Sequence, residues 1–454
     1  MKKSIPLVLY TALCLALCAA FFVGFWFAPA KAGANERLAP APALRGADGK
    51  LNTDLAGDAA DYFSGRFWLR QELISVYDRA VAGIFRTSPV GDVLLGTDGW
   101  LYYANSLDDY TGLRPMTERE LFCCAENLRL MREWCEGQGA RFLFTAAPNK
   151  NTLYDDHMPN LGAAAAVHDT DRLYALLAAQ GTPYLDLAAQ FRPQGETLYF
   201  AHDSHWNARG AALAADAINA ALGRASRYFD DPFAAAVRHD GDLYEMLYPA
   251  FEDPETDPVY GGALRCDYGG GPSKPDSITL NTTGGGQGSL LCFRDSFGNN
   301  LHPYLADSFA AARFSRATAY DLREAADYDA VLIELVERNL DYLLSNVPAM
   351  PAPARPAPTD AAAGGQLVLR AKSGGNAPAG CRLLRGTLPV APDTDSPVLL
   401  ICGGTAYEAF LLGDGAFAAW LPEGETPEAA ACAAAENGPG MTLFEIIEIQ
   451  DGTT

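Results

Sequence analysis

Apolar and polar positions divide this chain into stretches of different period. The first is an almost unbroken apolar run from Ile5 to Phe27, preceded by Lys2 and Lys3. About 20 such residues suffice to cross a bilayer, and the run is longer than a usual signal-peptide core. The lysines place the N-terminus inside and the rest of the chain outside. Residues 1–33 therefore read as an uncleaved membrane anchor. Ala28-Pro29-Ala30 and Ala30-Lys31-Ala32 resemble cleavage sites, so removal and secretion is the alternative. Residues 34–58, rich in Ala, Pro and Gly, read as a tether.

From Asp61 to Phe85 the apolar positions fall at helical spacing: Tyr62, Phe63, Phe67, Leu69, Leu73, Val76, Tyr77, Val81 and Phe85. Two strand-like runs then flank Asp98-Gly99, the signal of a hairpin over Val93–Tyr103. An α/β alternation follows. Thr117 and Glu120 form a capping box for a helix to about Gln138. Arg141–Ala147 reads as a buried strand ending at Pro148-Asn149-Lys150. Ala163–Gln180 is helical, Pro183–Leu187 a strand, and Asn207 caps a helix to about Leu222. Residues 223–287 lack periodicity and read as an inserted loop region closing on a flexible Gly284-Gly285-Gly286. Ser289–Phe293 and Tyr328–Leu335 are further strands. The alternation predicts an α/β domain over 59–347, a parallel sheet flanked by helices. Residues 348–365 are rich in Pro and Ala and read as a linker. Beyond them, short apolar runs between turns (Leu367–Leu369, Arg382–Leu384, Val398–Cys402, Ala406–Leu412, Phe417–Leu421, Ile446-Ile447) predict a small all-β, sandwich-like domain over 366–454.

Composition narrows the function. The apolar fraction of 49% suits a globular chain, and the net charge of −22 argues against nucleic acid or an anionic surface as the main partner. The cysteines show no CxxC pair and no zinc-like spacing; most read as small core residues. No metal or cofactor is expected.

The chemistry concentrates in two places. Asp203 and His205 stand one residue apart, just before the helix that Asn207 caps. Arg294-Asp295-Ser296-Phe297-Gly298 follows a predicted strand, and in such sheets ligands bind beyond the carboxyl ends of the strands. A serine hydroxyl needs a base, and the base needs an orienting acid. Residues i and i+2 of an extended segment point the same way, so Asp203 and His205 can serve one site with Ser296. The Ser296 backbone N–H suits an oxyanion hole. Taken separately, a D-x-H triplet is a turn cap more often than a site. His202, His302 and Tyr304 are candidates to line a pocket, while His157, His168 and His239 read as surface or loop residues. Trp420, Tyr407 and Phe410 read as core packing ahead of a sugar platform.

Asp203-Ser204-His205-Trp206 resembles the signature of the DHHW family, with Ser at its second position. The order of motifs is also similar to alginate O-acetyltransferases of the AlgX and AlgJ type, within the SGNH-hydrolase-like superfamily. Five pieces carry this resemblance: Gly96-Thr97-Asp98-Gly99-Trp100-Leu101, Pro148-Asn149-Lys150, Asp203-Ser204-His205-Trp206, Arg294-Asp295-Ser296-Phe297-Gly298 and Glu337-Arg338. The resemblance implies a flavodoxin-like sheet, a nucleophile at Ser296, a base at His205 and an orienting acid at Asp203. It implies an acetyl-enzyme resolved by a polysaccharide hydroxyl, with a separate membrane-bound O-acyltransferase as a possible source of acetyl groups. Arg338 matches an arginine near the site, and Asn149 and Lys150 are expected at its mouth. Two alternatives remain open: a carbohydrate acetylesterase with the same triad, and a non-catalytic polysaccharide-binding or assembly protein.

Overall fold

The capping box at Thr117 forms as the sequence predicts: Glu120 N–H donates to the Thr117 hydroxyl, and the Glu120 carboxylate accepts from Thr117 N–H. It starts the helix Glu118–Gly137, whose apolar face packs on the central sheet. The computed structural model describes residues 5–451 apart from 29, 34–35, 47–48, 271–273, 318, 373–376 and 435–439. Lys2, Lys3 and Pro29 thus lie outside the described residues. Strands β1 (Val93–Leu95) and β2 (Leu101–Tyr103) form the expected hairpin, with Asp98 and Gly99 at φ 54° and 85°, as a tight I′-type turn needs.

The central sheet has seven strands. Its members are β3 (Arg141–Ala147), β4 (Tyr184–Asp186), β7 (Cys266–Tyr268), β8 (Thr279–Gly284), β9 (Ser289–Phe293), β10 (Ala311–Ser315) and β11 (Ala330–Val336). Strands β5 (Phe233–His239) and β6 (Glu255–Tyr260) form a separate two-stranded ribbon. The order is β4-β3-β11-β9-β10-β8-β7. The first five are parallel; β8 and β7 continue the sheet antiparallel. The expectation of a purely parallel sheet is therefore corrected to a mixed one. The parallel strands run 2-1-5-3-4 in chain order, unlike the flavodoxin-like 2-1-3-4-5, because β11 inserts between β3 and β9.

Alternation along β11 sends Val331, Ile333 and Leu335 to the face covered by the helices Glu118–Gly137 and Asp169–Gln180. Ala330, Leu332 and Val336 go to the face covered by the helices Ala208–Ala221 and Gly298–Ser308. The stretch 223–287 is not a loop insert: it supplies the ribbon and the antiparallel edge of the sheet. Gly284 and Gly286 are not flexible spacers either. A Cβ at Gly284 would stand 1.9 Å from the Ala306 carbonyl oxygen, and one at Gly286 1.8 Å from that of Ser308. Glycine is needed there for close backbone approach.

The C-terminal unit is one curled nine-stranded sheet. Its strands are β12 (Ala354–Pro356), β13 (Ala361–Lys372), β14 (Cys381–Thr387), β15 (Leu399–Cys402), β16 (Thr405–Glu408), β17 (Phe410–Leu411), β18 (Ala416–Pro422), β19 (Ala429–Ala433) and β20 (Met441–Asp451). Their order is β12-β16-β15-β19-β20-β13-β14-β18-β17. The sheet folds over an apolar cluster that includes Leu369, Leu384, Leu400, Phe417 and Phe444. A single curled sheet thus replaces the expected sandwich. Residues 348–365 are not a free linker, since they contain β12 and the start of β13; β12 is an edge strand, where proline is tolerated. Phe410 and Trp420 are buried in the core shared with the helix Glu118–Gly137, which removes them as a sugar platform. All ten cysteines are free.

Candidate active site

The loop 198–207 is shaped by a bridge between Tyr199 and Trp206 and by Asn207, whose side chain accepts from Arg209 and Gly210 N–H to start the helix Ala208–Ala221. Lys150, just past β3, lies beneath this loop. Its ammonium donates to the carbonyls of Phe200, Ala201 and Asp203 at 3.1, 3.0 and 2.7 Å. Burial pulls its pKa down to about 7, against the opposing pull of Asp203, Asp242 and Glu255. Lys150 is only 4% exposed, so it braces the loop from below and does not stand at the mouth.

Three residues past β9, the Ser296 hydroxyl lies 2.8 Å from His205 Nε2. His205 Nδ1 lies 2.7 Å from Asp203 Oδ1, which also accepts from His205 N–H at 2.9 Å. Ser296 and His205 are partly exposed and Asp203 is buried, an order that leaves the hydroxyl open to a ligand. Asp295 shapes the turn that carries Ser296: Oδ1 accepts from Phe297 N–H, and Oδ2 from Val336 N–H and Asn339. Trp206 joins the two loops by donating from its indole to the Phe297 carbonyl at 3.1 Å.

The sequence reading missed the far side of Asp203. Its Oδ2 accepts from His239 Nε2 at 2.8 Å and from Asp242 N–H at 3.1 Å. Asp242 also accepts from the Ser204 hydroxyl at 2.6 Å and lies 3.5 Å from His205 Nδ1. Glu255 accepts from Ala201 and His202 N–H. His239 is therefore not a surface histidine. These groups come from 223–287, where a polar run around Gly241 carries no periodic signal. Glu334 on β11 was also missed; it is fully buried on the face beneath these loops, and burial holds its carboxyl well above the usual range.

Electrostatics couple the pair. Burial opposes charging of both groups, but mutual attraction outweighs it. Asp203 is held well below the usual carboxylate range by His205 and His239. His205 is pushed up to about 10 by Asp203 and Asp242.

The other expected residues separate. Arg338 is half-buried beyond β11, donates to Asn149 Oδ1 at 3.0 Å, and lies over the rings of Tyr103 and Phe297. Asn149 is fully buried and binds Asp109 and Glu337, so it holds Arg338 and is not itself at the mouth. Tyr304 packs against Tyr228 and Tyr260 with its hydroxyl on the Ala208 carbonyl; it is a core residue, not a ligand contact. His302 is buried against Tyr268 and Asn299, and burial lowers it to about 4.

Residues 93–258 match the family described as the SGNH hydrolase-like domain of the acetyltransferase AlgX. That segment contains Asp203 and His205; Ser296 lies beyond it. The chain is 24% identical over 243 residues to a probable alginate O-acetylase AlgJ of Pseudomonas putida, covering 51% of this chain and 58% of that protein. It is 26% identical over 220 residues to the protein of the same description from Pseudomonas syringae pv. tomato, covering 45% and 51%. The chain thus spans about half the length of these curated relatives. A solved DHHW family protein from Eubacterium siraeum aligns at 17% identity and a TM-score of 0.40, covering 57% of this chain and 99% of that one. The resemblance to the AlgX and AlgJ proteins is thus found again by direct comparison.

Proposed function

We propose that this chain is an extracytoplasmic O-acetyltransferase that moves acetyl groups onto hydroxyls of a cell-surface polysaccharide. The observation that carries this reading is the unbroken hydrogen-bonded line Ser296–His205–Asp203 beyond the carboxyl end of β9. The AlgX-type match supports acetyl transfer as the chemistry, and the names of the relatives point to a polysaccharide acceptor. The helix Ile5–Phe27, apolar enough over Leu7–Phe27 to cross a membrane, supports attachment to the cytoplasmic membrane. The layout proposed is an anchor over 1–33, a tether, a catalytic unit over 59–347 and the C-terminal β unit.

In the first half-reaction Ser296 Oγ attacks the acetyl carbonyl of the donor as its proton passes to His205 Nε2. Nδ1–H stays on Asp203, whose carboxylate stabilises the imidazolium. Collapse returns the proton to the donor's leaving oxygen and leaves acetyl-Ser296. In the second half a sugar hydroxyl gives its proton to Nε2 and attacks the ester, and Ser296 leaves with that proton. The Ser296 backbone N–H is the proposed oxyanion donor. Arg338, aligned over Phe297 by Asn149, is proposed to orient the acceptor or its charge. A membrane-bound O-acyltransferase is the proposed source of acetyl groups.

The test uses the full chain in detergent with p-nitrophenyl acetate, with and without a surface polysaccharide. Ser296→Ala and His205→Ala are each expected to lower turnover on the order of 10³-fold or more. Acetyl should be recovered on the polymer with wild type alone. Release of acetate only, whatever polymer is added, would favour the esterase; turnover unchanged in Ser296→Ala would remove the proposed nucleophile.

A further inference from the structure

The helix Arg70–Phe85 is inside out. The side chains it buries against the protein are Gln71, Ser75 and Asp78. Gln71 donates to the Lys31 carbonyl and to Glu36, and the Ser75 hydroxyl accepts from Ala250 N–H at 2.8 Å. Its apolar side chains face outward: Leu73, Val76, Tyr77, Ile84 and Phe85 are between 48% and 73% exposed. The preceding helix, Leu55–Gly65, buries no residue and exposes Phe63. A surface helix in water turns its apolar stripe to the core. A contiguous apolar face left outside marks a contact with something apolar.

The position of this face says what that is. Phe67 stacks on Phe21 with ring centroids 4.4 Å apart, Phe63 lies 5.0 Å from Phe25, and a Cβ at Gly24 would meet the Trp68 ring at 2.3 Å. These partners lie in the last two turns of the apolar helix, which ends at Phe27. The 21 residues Leu7–Phe27 are about 31 Å long at 1.5 Å per residue, close to the thickness of a hydrocarbon core. If they span it, Phe27 stands at its outer boundary. Phe67, level with Phe21, then lies about 9 Å on the lipid side of that boundary. The outward face begins at Leu73, six residues along the chain from Phe67.

We propose that Leu55–Phe85 is a membrane-surface element whose face of Phe63, Phe67, Leu73, Val76, Tyr77 and Phe85 lies in the outer interfacial layer of the bilayer. This rests on the reading of Ile5–Phe27 as a membrane-spanning anchor. The element fixes the height of the candidate site, because Ser75 holds Ala250, and the segment just after it, through Asp253 and Glu255, holds His202 and Ala201.

The test places the photoreactive residue p-benzoylphenylalanine, in separate full-length chains, at Tyr77, Phe85, Leu13 and Glu136. Each chain is reconstituted in vesicles of phosphatidylethanolamine and phosphatidylglycerol and irradiated. Lipid adducts at 77 and 85 are expected at yields comparable to Leu13 and at least about tenfold above the exposed polar control at 136. Adducts at Leu13 without adducts at 77 and 85 would overturn the surface element and leave the anchor standing. Absence at Leu13 as well would overturn both. Chain-to-chain cross-links at 77 in place of lipid adducts would replace the bilayer with a second copy of this chain.

Discussion

At the scale of residues, the site depends on one imidazole held between two carboxylates. Asp203 Oδ1 takes Nδ1–H, and Asp242 adds a second negative charge 3.5 Å from the same nitrogen. Both favour the imidazolium, and His205 is raised from 6.5 to about 10. As the proposed base, His205 must be neutral to accept the Ser296 proton, so the proposed acylation should speed up through neutral and mildly alkaline pH, by about tenfold per pH unit below the apparent pKa. A plateau reached near pH 7 would contradict this. Asp242→Asn should shift the profile toward acid, as measured by nitrophenyl acetate turnover with Ser296→Ala as the blank. The stability side has the matching sign. His205 is raised, so its attraction to Asp203 is fully present below the ordinary histidine value and is lost as pH rises through about 10. Sequence alone pointed to Asp203, His205 and Ser296 because their chemistry is local to two short motifs. Asn149 and Lys150 were placed wrongly, since a motif names residues but does not say which way they face.

At the scale of elements, strands with strong apolar runs were legible to the residue: Arg141–Ala147 and Ser289–Phe293 have the predicted bounds. β10 and β19 were not, because Ala-Ala-Arg-Phe-Ser and Ala-Ala-Ala-Cys-Ala carry neither alternation nor β-branched residues. The helical period over Asp61–Phe85 was real, but the structure breaks it into two helices around Leu69, at φ 58°, and turns its apolar face outward. Period shows that a face exists; only tertiary contacts show which environment it meets. Gly241 leaves no room for a side chain beside the loop that carries the pair: a Cβ there would stand 2.3 Å from the His202 carbonyl oxygen. Gly241→Ala must therefore push His239 and Asp242 away from Asp203. The expected cost is about 1–3 kcal/mol in a denaturant melt, together with a fall in kcat. Unchanged kcat would show that this side of Asp203 is dispensable.

At the scale of the whole molecule, the two sheets are welded through one helix. Arg129 on Glu118–Gly137 pairs with Glu126, Glu133 and Glu408, and Arg355 bridges Glu408 and Glu133. Asn127 donates to the carbonyls of Leu343 and Leu411 and accepts from Leu411 N–H. The apolar cluster beneath includes Leu130 and Met131 from the first unit and Leu383, Phe410 and Trp420 from the second. A Pro/Ala-rich sequence between two differently patterned regions reads as a linker, but here the covalent connection matters less than the shared core, which local pattern does not reveal. Arg129→Met would leave Glu126, 5% exposed, without its cation, while Glu408 keeps Arg355. The expected loss is about 3–5 kcal/mol, seen as a lower midpoint of one unfolding transition. Two separated transitions in the wild-type chain would contradict the welded arrangement.

Ser296 is proposed to carry the acetyl group between donor and acceptor. The most direct measurement is the intact mass of the full chain after mixing with an activated acetyl ester, followed by mapping of the modified peptide. One added acetyl group is expected on Ser296, formed slowly in His205→Ala, absent in Ser296→Ala, and discharged when polysaccharide is added. A turning-over enzyme with no acetyl on Ser296, or with acetyl on another residue, would contradict it.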